Sequence, residues 1–493
     1  MTRHAEHHVA LSVDGQPILF PDLPYDMHRR AESFTADPRL QGWVNRATLM
    51  RDTNRKAHTA ATFGPRHDAV RDLAGQIKQH TLDHLDYYLE RFIDNATAAG
   101  SIVHFARDGR EANDIALEIA RREGLTACVK AKSMVTEETH LLPELQAMGI
   151  ETFETDLGEF ILQIDDDAPS HIVTPMIHKD KTSVARAFAR ELGAKYTEDP
   201  AELTGIARQY LRDKFRRADL GISGGNFLVA QSGSLVICTN EGNGRFCTTA
   251  PRVHIAFVGI EKLVPSFEHL TVLLKLLGRH ATAQPLTVYT HILTGPRRAD
   301  EHDGPEQMHL ILVDNGRTKV LADPEYRSAL RCIRCGACLN ACPVYRKATG
   351  HAYGAVYSGP IGAVITPLLK GLENYKDLPH ASSLCGACYE ACPVKINLPE
   401  MLIKLRRDMI HGRVTRWHER LAYKLFALGL RWPLTYKIGG WFQRKFLRPL
   451  AGRDGYIRSG PGPLKGWTEV RDLPAPAQHN FRRWWKSRSQ VKQ

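Results

Sequence analysis

Apolar positions recur at helical spacing through Val70, Leu73 and Ile77, then Leu82, Leu85, Leu89 and Phe92. They predict one helix from about Arg66 to Ile93. The 65 residues before it are polar, rich in His and Arg, and carry no readable period. From Ser101 short apolar runs alternate with amphipathic ones. Ser101–Ala106 predicts a strand, Asp108 the N-cap of a helix through Glu123, and Gly124 its stop. Ala127–Lys130 predicts the next strand. Thr136 predicts a second cap, with Glu137 and Glu138 in a first turn where the helix dipole favours acids. Glu151–Thr155, Phe160–Ile164, Val253–Val258 and Leu310–Val313 predict further strands. Helices are predicted near Ser183–Leu192 and Ala201–Arg217. This alternation implies an α/β domain with a largely parallel sheet over roughly 95–320. From about Pro324 the character changes, and cysteine, glycine and proline cluster through Glu400.

A chain of 493 residues, 43% hydrophobic and 24% charged, belongs with globular proteins of two to four domains. Charge is unevenly spread. The stretch from Met401 to Gln493 holds 21 Lys and Arg against 5 Asp and Glu, while the whole chain carries +12, so the body is mildly acidic. A basic tail implies an anionic partner: a membrane surface, an acidic protein or nucleic acid. Two charge-free stretches, Leu220–Asn240 and His351–Leu369, are too interrupted by Gly and Pro to span a membrane. No apolar run follows Met1 as a secretory signal would require, so a cytoplasmic protein is expected. In a reducing compartment ten cysteines read as metal ligands rather than disulfides.

Seven of the ten fall in two runs. The first is Cys332, Cys335, Cys338 and Cys342 followed by Pro343, spaced C-x2-C-x2-C-x3-C-P. Three thiolates two residues apart can wrap one face of an iron–sulfur cubane, and the fourth reaches a neighbouring cluster. Gly336 permits close backbone approach, and Pro343 turns the chain away. The second run, Cys385, Cys388 and Cys392 before Pro393, repeats the frame with Ser382 where its first cysteine belongs. The crossover rule assigns Cys332, Cys335, Cys338 and Cys392 to one cluster, and Cys342, Cys385 and Cys388 to the other. Two [4Fe-4S] clusters are expected. With three cysteines, the second is either [4Fe-4S] with a fourth ligand from Ser382, water or a partner, or [3Fe-4S]. Structural zinc prefers two separated pairs, which this spacing does not offer. The apolar insert Tyr353–Leu369 is expected to pack as helices around the clusters.

The α/β part is less explicit. It has neither a dinucleotide fingerprint nor a Walker A motif. Gly221–Asn226 and Asn240–Arg245 read as glycine-rich turns able to present N–H groups to an anion, with Arg245 as a cationic grip, or simply as tight turns. Asp156, Glu159, His171 and His178 are either an acid–base site or, the favoured reading, solvated loops and caps. Cys128 and Cys238 read as buried and inert; Cys247 is the candidate thiol near a pocket.

Nearly the whole chain resembles the lactate-utilisation iron–sulfur protein family, the LutB family. Lys132–Glu138, Thr155–Glu159, Pro169–Ile172, Asn240–Arg245 and Asp314–Arg317 resemble its LUD domain, and the segments around Cys388 and Cys392 resemble its ferredoxin part, absent cysteine included. The fold implied is an α/β LUD domain, sugar-isomerase- and CoA-transferase-like, followed by a helical two-cluster ferredoxin domain and a basic C-terminal tail. Domains are expected at 1–65 (extension and arm), 66–320 (LUD with leading helix), 321–405 (ferredoxin) and 406–493 (basic region), the first 30 or so residues lying beyond the family pattern.

The function implied is an electron-transfer subunit of a bacterial L-lactate dehydrogenase complex oxidising lactate to pyruvate. Its expected partners are a cysteine-rich subunit and a second LUD protein. Trp417, Phe426, Trp432, Trp441 and Phe442 interleaved with Arg and Lys suit subunit docking first. Peripheral contact with the inner membrane face, near a quinone pool, comes second, and no recognition module supports nucleic acid. The rival readings are an enzyme whose LUD domain acts directly on an organic acid, with the open iron of the second cluster touching substrate, and a redox-sensing cluster protein.

Overall fold

A computed structural model describes residues 17–415, 417–462 and 464–489. The first half of the expected extension, residues 1–16, lies outside the described residues. The chain forms two compact units, Met1–Met409 and Ile410–Gln493.

Among the described residues of the first unit ten strands form two sheets: β1 Ile102–Ala106, β2 Ala127–Lys130, β3 Glu151–Glu154, β4 Leu220–Gly224, β5 Phe227–Val229, β6 Ser234–Thr239, β7 Val253–Gly259, β8 Leu263–Val264, β9 Tyr289–Leu293 and β10 Gln307–Val313. The larger sheet runs β1-β10-β7-β4-β2-β3, with every pair parallel. β10 pairs β7 in full register from Gln307 opposite Val253 to Val313 opposite Gly259. All seven residues of β7 are buried, as expected for a parallel strand covered on both faces. The smaller sheet runs β8-β5-β6-β9.

Asp108 caps the helix Gly109–Arg122 by accepting the Glu111 N–H at 2.9 Å, as the sequence predicts. Four local expectations are corrected. The helix Met134–Glu138 is capped by Ser133, one turn earlier than Thr136. Phe160–Ile164 belongs to a helix, Leu157–Ile164, because Asp156 accepts the N–H groups of Gly158 and Glu159 and starts it there. Gly221–Asn226 is no exposed turn. Most of it is the buried strand β4, where a Cβ on Gly221 would stand 1.9 Å from the Cys247 carbonyl oxygen. The long N-terminal helix breaks at His84 into His67–Asp83 and Leu85–Ala98.

The described part of the polar segment before it forms helices. Helices Met27–Thr35 and Pro38–Phe63 start on Asp26 and Asp37 caps and pack against the cysteine-bearing segment. Gly359–Lys370, inside the insert, is a largely buried helix. Apolar residues of both helices, of Ile172, Phe227 and Leu277, and of the cysteine runs share one core. The α/β and cysteine-rich parts are thus a single packed body.

The second unit holds helices Trp417–Arg431 and Pro433–Phe446, neither with a buried residue, and a short two-stranded ribbon. Among the described residues no helix is long and apolar enough to cross a membrane.

Candidate iron–sulfur centre and the adjoining cavity

The two cysteine runs repeat one backbone device. Arg334 and Leu384, each directly before a cysteine, are left-handed at φ 60° and 56°, and Gly336 and Gly386, directly after it, at 73° and 84°. Gly336 opens the helix Ala337–Ala341 and Gly386 the helix Ala387–Ala391. The Arg334 N–H donates to the Cys332 Sγ at 3.4 Å, and the Leu384 N–H donates to the Ser382 Oγ at 3.0 Å. The serine hydroxyl therefore occupies the same turn position as a cysteine sulfur.

Cys332, Cys335, Cys338 and Cys392 line one small cavity. Burial, and then the neighbouring N–H of Ala337 and charge on Cys332 and Cys392, set the Cys335 thiol far from its ordinary value, with burial dominant and the net shift upward. Cys342 and Cys388 are buried, and Cys385 is exposed. Burial, then charge on Cys342 and Cys385, pushes Cys388 up to about 12. Cys385, on the open side, is instead held down by the Ala387 N–H and the Ser383 side chain. Buried thiols of this kind lose their protons when a soft metal takes the sulfur.

Cations crowd the first group. The Arg71 Nε donates to the Cys392 carbonyl at 2.9 Å. Lys78, Lys262 and Arg334 all lie near enough to Cys332 to respond to its charge. Burial pushes Lys262 down to about 8. A donor set of four sulfurs, N–H groups directed at Cys332 and Cys392, and buried positive charge fits a polyanionic iron–sulfur cluster.

The four residues weighed as an acid–base site, against the favoured reading of loops and caps, are not brought together. Asp156 is a helix cap. Glu159 is buried beside Lys130, at 3.9 Å. His178 bonds Asp167 at 2.9 Å and Ser170 at 3.1 Å. His171 is buried, not solvated. Its Nδ1 accepts the N–H groups of Val173 and Thr174, so Nε2 carries the proton and donates to the Asn340 Oδ1 at 3.1 Å. Burial pushes it down to about 3, so it stays neutral. This loop docks the cysteine-rich part: the Tyr345 hydroxyl donates to the Ser170 carbonyl at 2.6 Å, and His351 meets the Ala168 carbonyl at 2.7 Å.

A larger cavity of about 340 Å³ lies in the α/β part and shares Ile172 and Arg334 with the cysteine-lined one. Its charged lining is Arg51, Lys132, Lys262 and Arg334 against Asp156 and Glu241. Arg245 is exposed and does not line it. Cys247 does not line it either. That thiol is fully buried against Thr155, while Cys238 is the cysteine that lines the cavity. The cavity adjoins the one lined by the first group of cysteines, so the shared wall does not favour the rival reading of substrate against the second. Periodicity could not reveal Arg334 or Lys262 as wall residues, because tertiary packing alone brings them there.

Family models match in chain order: LUD domain over 89–313, 4Fe-4S dicluster domain over 328–396, and Lactate utilisation protein B, C-terminal, over 409–490. The chain is 51% identical over 419 residues to "Lactate utilization protein B" of Shouchella clausii, covering 85% of this chain and 88% of that protein. The protein of the same name from Geobacillus sp. (strain WCH70) is 45% identical over 481 residues, covering 97% and 98%. The chain belongs to the lactate utilization protein B family. In this member the LUD and dicluster segments bury a common core, and the C-terminal match falls on the second unit. A crystal structure of a DUF162 family protein from Deinococcus radiodurans covers 46% of the chain at 13% identity and a TM-score of 0.27, too weak a likeness to define the fold.

Proposed function

We propose that this protein is the iron–sulfur electron-transfer subunit of a bacterial system oxidising L-lactate to pyruvate. The observation that supports the proposal is the grouping of seven sulfurs into one set that lines the small cavity, Cys332, Cys335, Cys338 and Cys392, buried but for the half-buried Cys332, and a second set, Cys342, Cys385 and Cys388, that opens to solvent at Cys385. The first set holds a [4Fe-4S] cluster. The second set holds another, its fourth iron met by a non-cysteine ligand. Such clusters supply one-electron transfer when bound. The chain's own part is to hold the sulfurs, screen the buried set from water, and surround it with Arg71, Lys78 and Lys262. Lactate oxidation removes two electrons, so the partners, a cysteine-rich subunit and a second LUD protein, share the chemistry.

The second unit supports docking. Trp417, Phe426 and Trp441 are exposed on helices that also carry Arg and Lys. An acidic partner subunit suits this surface better than a membrane, and no nucleic acid is invoked.

Anaerobic EPR of the purified chain, as isolated and after dithionite, with an iron count, tests the proposal. About eight irons per chain and interacting reduced-state signals support two four-iron clusters. About seven irons with an oxidised-state signal place a [3Fe-4S] centre in the open set. Zinc without iron overturns the proposal.

A further inference from the structure

Five buried polar atoms with no hydrogen-bond partner border the larger cavity: Nη1 and Nη2 of Arg334, Nε of Arg51, Oγ1 of Thr174 and Oδ1 of Asn243. A native interior leaves few such atoms, and a concentration of them at one cavity marks a place built for another molecule. The Arg334 side chain is only 8% exposed. Its Nη2 is ion-paired with Glu261 at 3.6 Å and the guanidinium lies 4.3 Å over the Tyr357 ring, which fixes it and leaves Nη1 without a partner. The Lys132 Nζ donates once, to the Val173 carbonyl at 3.0 Å, and has two further protons.

The lining carries four cations and two acids, so it offers a modest positive surplus. Arg334 is already paired with Glu261, so three further cations face the two acids, a surplus of one that a single carboxylate balances and a dianionic phosphate exceeds. Ala131, Val135, Ile172 and Leu277 give the rest of the wall an apolar surface, and the size lies at the lower end for small-molecule sites.

We infer that this cavity is a receptor for a small organic monocarboxylate, gripped by Arg334 and Lys132 against the wall it shares with the buried cysteine set. The inference deepens the proposed function and rests on it only for the choice of acids to test. The LUD domain thereby brings an organic acid to the side of the first cluster site rather than the second.

The test is equilibrium dialysis of the full-length, iron-loaded chain against labelled L-lactate and pyruvate, with flavin mononucleotide as a phosphate-bearing competitor. Saturable binding of one acid, weakened at least tenfold by Lys132→Gln with the iron content unchanged, is expected. Cys238→Phe, which fills the cavity from β6, should abolish that binding and serves if Lys132→Gln fails to fold. No saturable binding to an iron-loaded chain, binding unaltered by both substitutions, or preference for the phosphate overturns the inference. Absence of iron with retained acid binding would instead sink the proposed function and leave the receptor standing.

Discussion

Arg317 forks onto Glu138, with Nη1 donating to Oε1 at 3.0 Å and Nη2 to Oε2 at 2.9 Å, both side chains essentially unexposed. Its Nε donates to Glu261 at 2.6 Å, and Glu138 also accepts from the Tyr357 hydroxyl. Burial would raise the Glu138 carboxyl, but Arg317, together with hydrogen bonds from Tyr357 and Asn315, holds it below its ordinary value. Arg317→Met leaves Glu138 buried without its cation and Glu261 with Arg334 as its remaining ion pair, at a cost of about 3–5 kcal/mol. A thermal melt of the iron-loaded chain should show a midpoint several degrees lower. An unchanged midpoint would mean the two acids are neutral in the fold.

Ser382 stands in the turn that Cys332 occupies in the first run. Ser382→Cys should therefore complete a four-cysteine set with Cys342, Cys385 and Cys388. The open cluster should then resist loss of iron in air, with any three-iron EPR signal abolished. Cys385→Ala should remove about four irons and Cys392→Ser should disturb the other four, because the last cysteine of the second run serves the first cluster. Loss of one and the same EPR signal in both variants would refute the crossover.

Gly350 lies against the docking loop, where an added Cβ would stand 1.7 Å from the Ser170 carbonyl oxygen. The atoms it would meet are all Ser170 backbone, which does not yield easily. Gly350→Ala should cost about 1–3 kcal/mol, as overpacking does, and should speed iron loss by parting the α/β loop from the cysteine segment. Limited proteolysis at 165–178 reports the separation; an unaltered digestion pattern would show that the loop bears no weight.

Burial, then the charge of Asp156, pushes Glu241 up to about 7, while Lys132 pulls it back. Asp156 is raised the same way, by burial first. Below pH 7 Glu241 is neutral; as pH rises through 7 it gains a negative charge beside the inferred carboxylate. Affinity for the acid should be highest on the acidic side and fall across pH 7, and Glu241→Gln should flatten the profile at its acidic level. A wild-type profile that stays flat would contradict this placement of Glu241.

Much of this architecture is legible in the sequence. The helix starting at Asp108, the strands at Ala127, Val253 and Leu310, and the seven-cysteine frame depend on local rules of capping, period and ligand spacing. The rest depends on distance. Phe160–Ile164 reads as a strand by its apolar residues, and only the Asp156 cap makes it part of the helix Leu157–Ile164. Gly221 reads as a turn until Cys247 is packed against it. The segment 27–63 shows no strong period because its partner surface is the cysteine-rich part, far along the chain. Arg334 reads as a spacer between two ligands, and its place between two cavities exists only in the fold.

The bond from the Tyr25 hydroxyl to the Ala352 carbonyl joins residues 327 positions apart, and the Met27 N–H reaches Asp377 across 350. During synthesis the first helices therefore leave the ribosome long before the surface they cover. The α/β sheet, complete at Val313, is available to fold while they wait. The buried sulfur set closes only when Cys392 emerges, so cluster insertion falls at the end of translation or after it. Until then the early helices expose apolar surface, and they are the part of the nascent chain most in need of a chaperone.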